Sequence, residues 1–365
     1  VIYLDYNATS PLRPEAFAAM EPYLRQHFGN PSSVHAAGRA ARVALDEARE
    51  QVAALVGAEP REIVFTAGAT EANNLALQGA AARLGGLFVS TAVEHPSVLE
   101  PLAALVARGT VRHETLAMDA AGALELDAAP LGAAALVSVM LANNETGRLF
   151  PVAQAAALTR GLVHSDLTQA VGRVPVSVRG LGVHLASFSG HKLGGPKGIG
   201  ALYVKRGTQL ERALHGGKQE RSRRPGTENV AAAVGFGAAA AAALGDLAAF
   251  QARALALRER LWAGLRRLPV TPVLNTPLDH AVPNTLNVSY PGRDGHDLLQ
   301  RLDMGGLCVS SGAACASGSP EPSPVLRAIG YDDGRVRGAV RFSLGFATTE
   351  RDVDDALGVV ARALS

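Results

Sequence analysis

Two residues stand out for chemistry. Lys192 sits in "SFSGHKLGGPKGIGALYV", where a strand should end at Ser189 and a glycine-rich turn should carry the lysine at its tip. A lysine at the carboxyl end of a parallel strand lies where α/β sheets place their ligands. Most isolated lysines are ordinary surface residues. This one follows His191, has Ser187 and Ser189 just upstream, and precedes a run of glycines that lets backbone press close to a ligand. Lysine forms Schiff bases with carbonyl compounds, pyridoxal phosphate among them. Cys315 is the second residue, in "LCVSSGAACASGSP", a stretch almost without large side chains. A cysteine is conserved or used for its reactivity more than for its packing, and small neighbours favour an exposed loop.

A pyridoxal cofactor needs a phosphate cradle, a carboxylate for its pyridine nitrogen and a group against its ring. "EIVFTAGATEANNLALQGA" reads as a strand, a glycine turn and a helix opening near Thr70 and Glu71, and helix N-termini bind phosphate. A plain strand–turn–helix with Thr70 as N-cap fits the same residues. In "GLVHSDLTQAVG", Asp166 ends a strand at the same sheet edge as Lys192, and Gln169 follows three residues on. A carboxylate there keeps the pyridine nitrogen protonated; a helix N-cap is the plainer role. His95 in "STAVEHPSV" and Asn144 in "LANNETG" also follow strands. His95 suits ring stacking or proton transfer, and equally an ordinary structural role.

The elements that must position these groups are legible. Residues 62–66, 87–91, 135–141, 161–166, 184–189 and 200–204 are predicted strands separated by alanine-rich helical stretches, which implies a mostly parallel sheet covered on both faces. Between His35 and Ala58, Ala41, Leu45, Ala48, Val52 and Leu55 recur at helical spacing. Residues 229–268 read as helix almost throughout, a connector between domains. Beyond it, strands over 284–290, 307–311 and 339–345 alternate with helices, the last opening at Thr349 with Asp352 three residues on. The expected division is a large α/β domain over 14–247 and a smaller α+β domain over 1–13 and 248–365.

Lysine and arginine total 35 against 33 acidic residues, so the charge balance points to neither nucleic acid nor a membrane surface. Two cysteines make no disulfide framework, no spacing suggests a zinc site, and a reducing cytoplasm is the expected location. The apolar run Val230–Gly245 is short and rich in alanine and glycine, as in a buried core helix. Cys308 falls in an apolar pattern and reads as structural.

The chain resembles the cysteine desulfurases of the class V aminotransferase family, in their NifS/IscS-like branch. The resemblance rests on "YLDYNATSPL", "FGNPSSVH", "IVFTAGATEANN", "EHPSVL", "NNETG", "SDLTQAVG", "SFSGHKLGGPKGIGALY", "RRPGTENV", "SSGAACASG" and "VRFSLG", which run from Tyr3 to Gly345. It implies fold type I of the pyridoxal-phosphate enzymes, L-cysteine as substrate and a homodimer. Lys192 would form the Schiff base and Cys315 would be the nucleophile that accepts sulfur. Ala69, Thr70, Ser189 and His191 would hold the phosphate, with Thr227 reaching the phosphate of the partner subunit. Asp166 would pair the pyridine nitrogen, Asn144 and Gln169 would contact the ring hydroxyl, and His95 would stack on the ring and assist proton transfer. Arg341 would clamp the substrate carboxylate, with Asn7 also at the substrate. The sulfur would leave as a persulfide on Cys315 for an acceptor protein such as an iron–sulfur scaffold. Lys218 departs from the family pattern, which often has a third glycine there. A transaminase or lyase of this fold needs Lys192 and Asp166 but no loop thiol, so Cys315 argues against it. Selenocysteine cleavage uses the same pocket. A silent sulfur carrier would not need Lys192, Asp166 and His95 together.

Overall fold

The computed structural model describes residues 1–119, 121–127, 129–311 and 322–365; Cys315 and its flanking small residues lie outside them. After the short strand β1 (Ile2–Tyr3), seven strands build one sheet: β2 (Ile63–Thr66), β3 (Leu87–Thr91), β4 (Arg112–Leu116), β5 (Leu136–Ser138), β6 (Leu162–Asp166), β7 (Leu185–Ser189) and β8 (Gly200–Val204). Their spatial order is β2-β8-β7-β6-β5-β3-β4. Strand β8 runs antiparallel to both neighbours, and every other pairing is parallel. Since β2 and β7 both oppose β8, β2 points the same way as β7. All strands but β8 therefore end at one edge.

Alternation along each strand divides the core in two. Val137, Val163, Ala186 and Phe188 face one layer, where the helices Ala36–Val56 and Val230–Gly245 pack. Leu136, Leu185 and Leu202 face the other, against the helices Ala69–Leu84 and Pro96–Ala107. Side chains of successive strand residues point to opposite faces, so a sheet covered on both sides needs continuous apolar runs. The helix Ala36–Val56 buries the predicted face; His35 Nδ1 accepts from Gly38 N at its start, and Gly57 at φ 67° ends it. That left-handed conformation is a common helix stop and favours glycine.

The C-terminal part adds β9 (Val273–Leu274), β10 (Thr285–Ser289), β11 (Leu307–Cys308) and β12 (Ala339–Ser343), with β12-β10-β9 forming an antiparallel sheet. Strand β1 pairs in parallel with β11, so the first residues of the chain sit beside its last third. A second apolar cluster gathers Leu4 with Leu257, Leu261, Val288, Phe342 and Val360. The final helix, Glu350–Leu364, opens with the expected reciprocal cap between Thr349 and Asp352.

Three expectations change, and one strand was missed. Residues 229–268 form two helices, Val230–Gly245 and Leu247–Leu265, bent by 71° around Asp246. The strand expected over 307–311 shortens to two residues, after which Ser310 alone bridges Arg341. Cys308 is half-buried, outside the apolar cluster its neighbour Leu307 joins. Strand β4 was not legible, because "RHETL" is polar and mostly exposed, as an edge strand tolerates. No single helix among the described residues is long and apolar enough to cross a membrane.

Candidate active site

The common strand edge opens on a cavity of about 910 Å³. Strand β2 runs into Gly68 and the helix Ala69–Leu84, β3 into His95, β5 into Asn144, β6 ends on Asp166, and β7 runs through Ser189 to Lys192. Asn7, Ala69, Thr70, His95, Asn144, Asp166, Gln169, Ser189, His191, Lys192 and Arg341 all line this one cavity. Parallel strands deliver most of these groups by their carboxyl ends, while Asn7 comes from the segment after β1 and Arg341 from β12 of the antiparallel sheet.

Lys192 Nζ donates to the carbonyl oxygens of Asn7 and Ala8, both at 2.6 Å. Asn7 O also accepts from Gln169 Nε2 at 3.0 Å. Gln169 Oε1 is taken by Arg173, which fixes the amide with its nitrogen as the remaining donor. Arg173 is buried and bonds further to carbonyls of Gln169 and Tyr6; burial, with Arg341 adding to it, pushes its pKa down to about 9. Asn7 turns its amide toward Asn144 O (3.1 Å) and Thr285 Oγ1 (2.9 Å). Asn7 thus offers its backbone, more than its side chain, to the lysine.

Asp166 is buried at the end of β6. Its Oδ1 accepts from Thr168 N at 2.9 Å and its Oδ2 from Asn73 Nδ2 at 2.8 Å. It caps no helix; the first contact is a local turn. A carboxylate has about four lone-pair sites, so capacity remains for a cationic N–H from the cavity. His95 is the N-cap of the helix Pro96–Ala107, with Nδ1 accepting from Ser97 N. It therefore fills the structural role and the cavity position together. One residue back, Glu94 is fully buried; it accepts from Met140 N at 2.7 Å and Thr91 Oγ1 at 3.1 Å. Burial pushes its pKa up to about 8, so it is held as a neutral acid.

The phosphate end fits its ligand. The helix Ala69–Leu84 begins at Gly68, not at Thr70, and no side chain caps it. Its first backbone N–H groups open into the cavity beside Ala69 and Thr70, with Ser189, His191 and Lys197 on the rim. Uncapped helix donors with nearby cations suit a phosphate group. His191 Nδ1 pairs with Thr9 Oγ1 at 3.0 Å, and burial plus the neighbouring Lys192, Lys197 and Arg173 push its pKa down to about 4. It offers a neutral ring. Phosphate cradle, carboxylate, histidine and lysine together match what pyridoxal phosphate requires.

Arg341 enters from β12, 1% exposed, with Nη1 donating to Asn144 O at 2.8 Å and Nη2 to Asp5 Oδ1 at 2.7 Å. Its Nε has no hydrogen-bond partner among the described residues. The fork thus keeps donors for a carboxylate. Asp5 Oδ1 also accepts from Ser310 Oγ at 2.9 Å, and Ser310 and Arg341 exchange backbone bonds of 3.2 and 2.7 Å. Ser310 is the last bridged residue before the segment that holds Cys315.

Thr227 is exposed and lies outside the cavity of its own protomer. Its arm is anchored by Glu220, which takes Arg49 in two contacts of 2.7 Å and Phe65 N at 2.9 Å. Glu220, Arg221 and Ser222 all hold positive φ, a conformation costly for residues with a side chain. Lys218, by contrast, sits at φ −92°, where no glycine is needed. Asp5, Asn73, Ser97 and Arg173 were not singled out from the sequence. Asn73 alone carried a signal: it shares a helix face with the buried Leu77 and Ala80, an odd place for an amide.

Comparison with known proteins agrees with this geometry. The family model described as Aminotransferase class-V matches residues 2–356. The chain is 41% identical over 370 residues to a protein named cysteine desulfurase IscS from Dictyoglomus turgidum, covering 99% of this chain and 94% of that one. A solved structure described as a NIFS-like protein superposes with a TM-score of 0.93 at 35% identity, spanning 100% of this chain and 99% of the other. A second, described as SspA in complex with cysteine, gives 0.80 at 30% identity over 94% and 99% of the two chains.

Proposed function

We propose a division of labour within a chain that belongs to the class V aminotransferase family and is a pyridoxal-phosphate-dependent cysteine desulfurase. The observation that carries the assignment is the convergence of Lys192, Asp166, His95, Arg341 and the uncapped start of the helix Ala69–Leu84 on one cavity. When bound, the cofactor supplies an electron sink for the α-carbon of L-cysteine. Lys192 Nζ would hold the cofactor and is the base placed to move the α-proton. Asp166, steadied by Asn73 and Thr168, would receive the pyridinium N–H. Ala69, Thr70, Ser189 and His191 would orient the phosphate, and Gln169 Nε2 and Asn144 would contact the ring hydroxyl. The free donors of Arg341 take the substrate carboxylate, since a planar guanidinium matches it in two parallel bonds.

Cys315 acts as a thiolate on the substrate sulfur. An S–S bond forms, the Cβ–S bond breaks, and its electron pair stays with the carbon fragment, which takes up protons and leaves as alanine. The persulfide then passes to an acceptor protein, an iron–sulfur scaffold being the kind that fits. Two protomers complete each site: Thr227, exposed on an anchored arm and outside its own cavity, reaches the phosphate held by its partner. Incubation with labelled cysteine and mass spectrometry of the tryptic peptide bearing Cys315 tests the reading. One added sulfur on Cys315 with matching alanine is expected. Wild-type alanine formation by Cys315→Ala would refute it.

A further inference from the structure

Asn73 is fully buried between the two groups that would grip the cofactor ring from different sides. Its Nδ2 donates to Asp166 Oδ2 and to Ser97 Oγ, both at 2.8 Å, and Ser97 Oγ lies 2.8 Å from His95 Nδ1. Asp166 as a carboxylate only accepts, so the Asn73 amide has one allowed orientation, with NH₂ toward Asp166. Both amide hydrogens are then used. Ser97 Oγ accepts one of them, which leaves its own hydrogen for His95 Nδ1. The Ser97 backbone N–H also donates to that same nitrogen, at 3.1 Å. Hydrogen positions along the chain close in one way: Nδ1 accepts, and the ring proton sits on Nε2.

We propose that Asn73 is a positioning residue that joins the two grips, aligning Asp166 and, through Ser97, presenting His95 to the cofactor as an Nε2–H donor. Its own Oδ1 has no partner among the described residues, a cost that a side chain of purely structural purpose avoids. The arrangement narrows the part His95 can play. With Nε2 already protonated and Nδ1 receiving two donors, the ring gives a proton or a hydrogen bond to the cavity and does not take one. Proton abstraction falls to Lys192.

The test uses cofactor-loaded enzyme labelled with ¹⁵N-histidine, the His95 signals being assigned by their loss in His95→Gln. The expected wild-type pattern is a single tautomer with Nε2 protonated. Ser97→Ala keeps the backbone donor and the Asn73–Asp166 contact, so it should fold, and it should shift the Nδ1 resonance of His95 while the other histidines stay put. Asn73→Leu, close in volume, should shift the same resonance and raise the dissociation constant for pyridoxal phosphate about tenfold. A wild-type Nδ1–H signature, or an unmoved resonance in Ser97→Ala, overturns the proposal; an unchanged cofactor constant in Asn73→Leu overturns its Asp166 half. The inference rests on His95 facing the cofactor ring. If His95→Gln retains full turnover while the resonances behave as expected, that reading fails and the role of Asn73 survives.

Discussion

Replacing Asp5 by asparagine should make the protein less stable and its carboxylate site tighter. Arg341 is 1% exposed and Asp5 15%, and the two touch at 2.7 Å. Breaking a buried ion pair from one side costs about 3–5 kcal/mol. Asparagine keeps an acceptor for Arg341 Nη2 and Ser310 Oγ, and Asp5 retains some solvent, so about 2 kcal/mol is the expected loss. In a chain of this size that lowers Tm by a few degrees. The substrate side works in the opposite sense. Two carboxylates sharing one guanidinium lie about 5 Å apart and repel by about 3 kcal/mol at an effective dielectric of 20. Part of that gain is offset because Asp5 no longer pins the fork, leaving a net of about 1 kcal/mol, or roughly fivefold tighter binding.

L-Alanine is the ligand to use, because it carries the carboxylate and amine of the substrate and no sulfur to react. Its binding is followed by the change in cofactor absorbance, with methylamine as the control that lacks a carboxylate. Asp5→Asn should bind alanine more tightly and methylamine unchanged, while melting earlier without ligand. Weaker alanine binding alongside the lower Tm would mean that Asp5 serves Arg341 as an anchor alone, and the repulsion argument would be wrong.

Lys192→Ala should abolish cysteine turnover and the yellow colour of the purified enzyme together; retention of either contradicts the role given to Nζ. Glu94→Gln should remove a pH dependence. The folded pKa is raised to about 8 by burial, against about 4.3 for an unperturbed glutamate, so the wild type loses stability as pH rises through that window while the unfolded chain ionises. The Tm of Glu94→Gln minus that of wild type should therefore rise from pH 5 to pH 8, and a constant difference refutes the burial argument. Gly200→Ala would place a methyl 2.7 Å from the backbone of Gly68, at the start of the phosphate-binding helix. Cofactor release should accelerate about tenfold or more, measured by dialysis against a chaser amine. In mixed dimers of a Lys192→Ala protomer with a Thr227→Ala protomer, a Thr227 acting in trans leaves one intact site, because the Thr227→Ala protomer keeps its own Lys192 and receives the other chain's threonine, whereas a Thr227 acting in cis leaves none. Activity tracking the trans arrangement is expected, and a cis pattern disproves the shared site.

What the sequence could disclose follows from where each constraint lives. A strand covered on both faces is buried along its length and opens on apolar residues, so β3, β6 and β7 are visible in the sequence, and the groups that end or follow them fall on one edge. Lys192, Asp166 and His95 were found this way, because each interrupts the pattern at a strand end. β4 escaped because an edge strand carries no such demand. The bend at Asp246 escaped because both flanking helices are rich in alanine, and nothing in local propensity separates one long helix from two. The supporting residues were hidden for a different reason. Asp5 stands 336 positions from Arg341 and Asn73 93 from Asp166; their meaning is a contact, and contacts of that range are set by topology. Yet these are the residues that decide protonation and orientation. The atoms that touch substrate announce themselves by type and spacing. The direction in which each must point is written in partners that only folding brings together, so replacing Asp5 or Asn73 should shift binding and protonation at a site whose Lys192 and Arg341 remain intact.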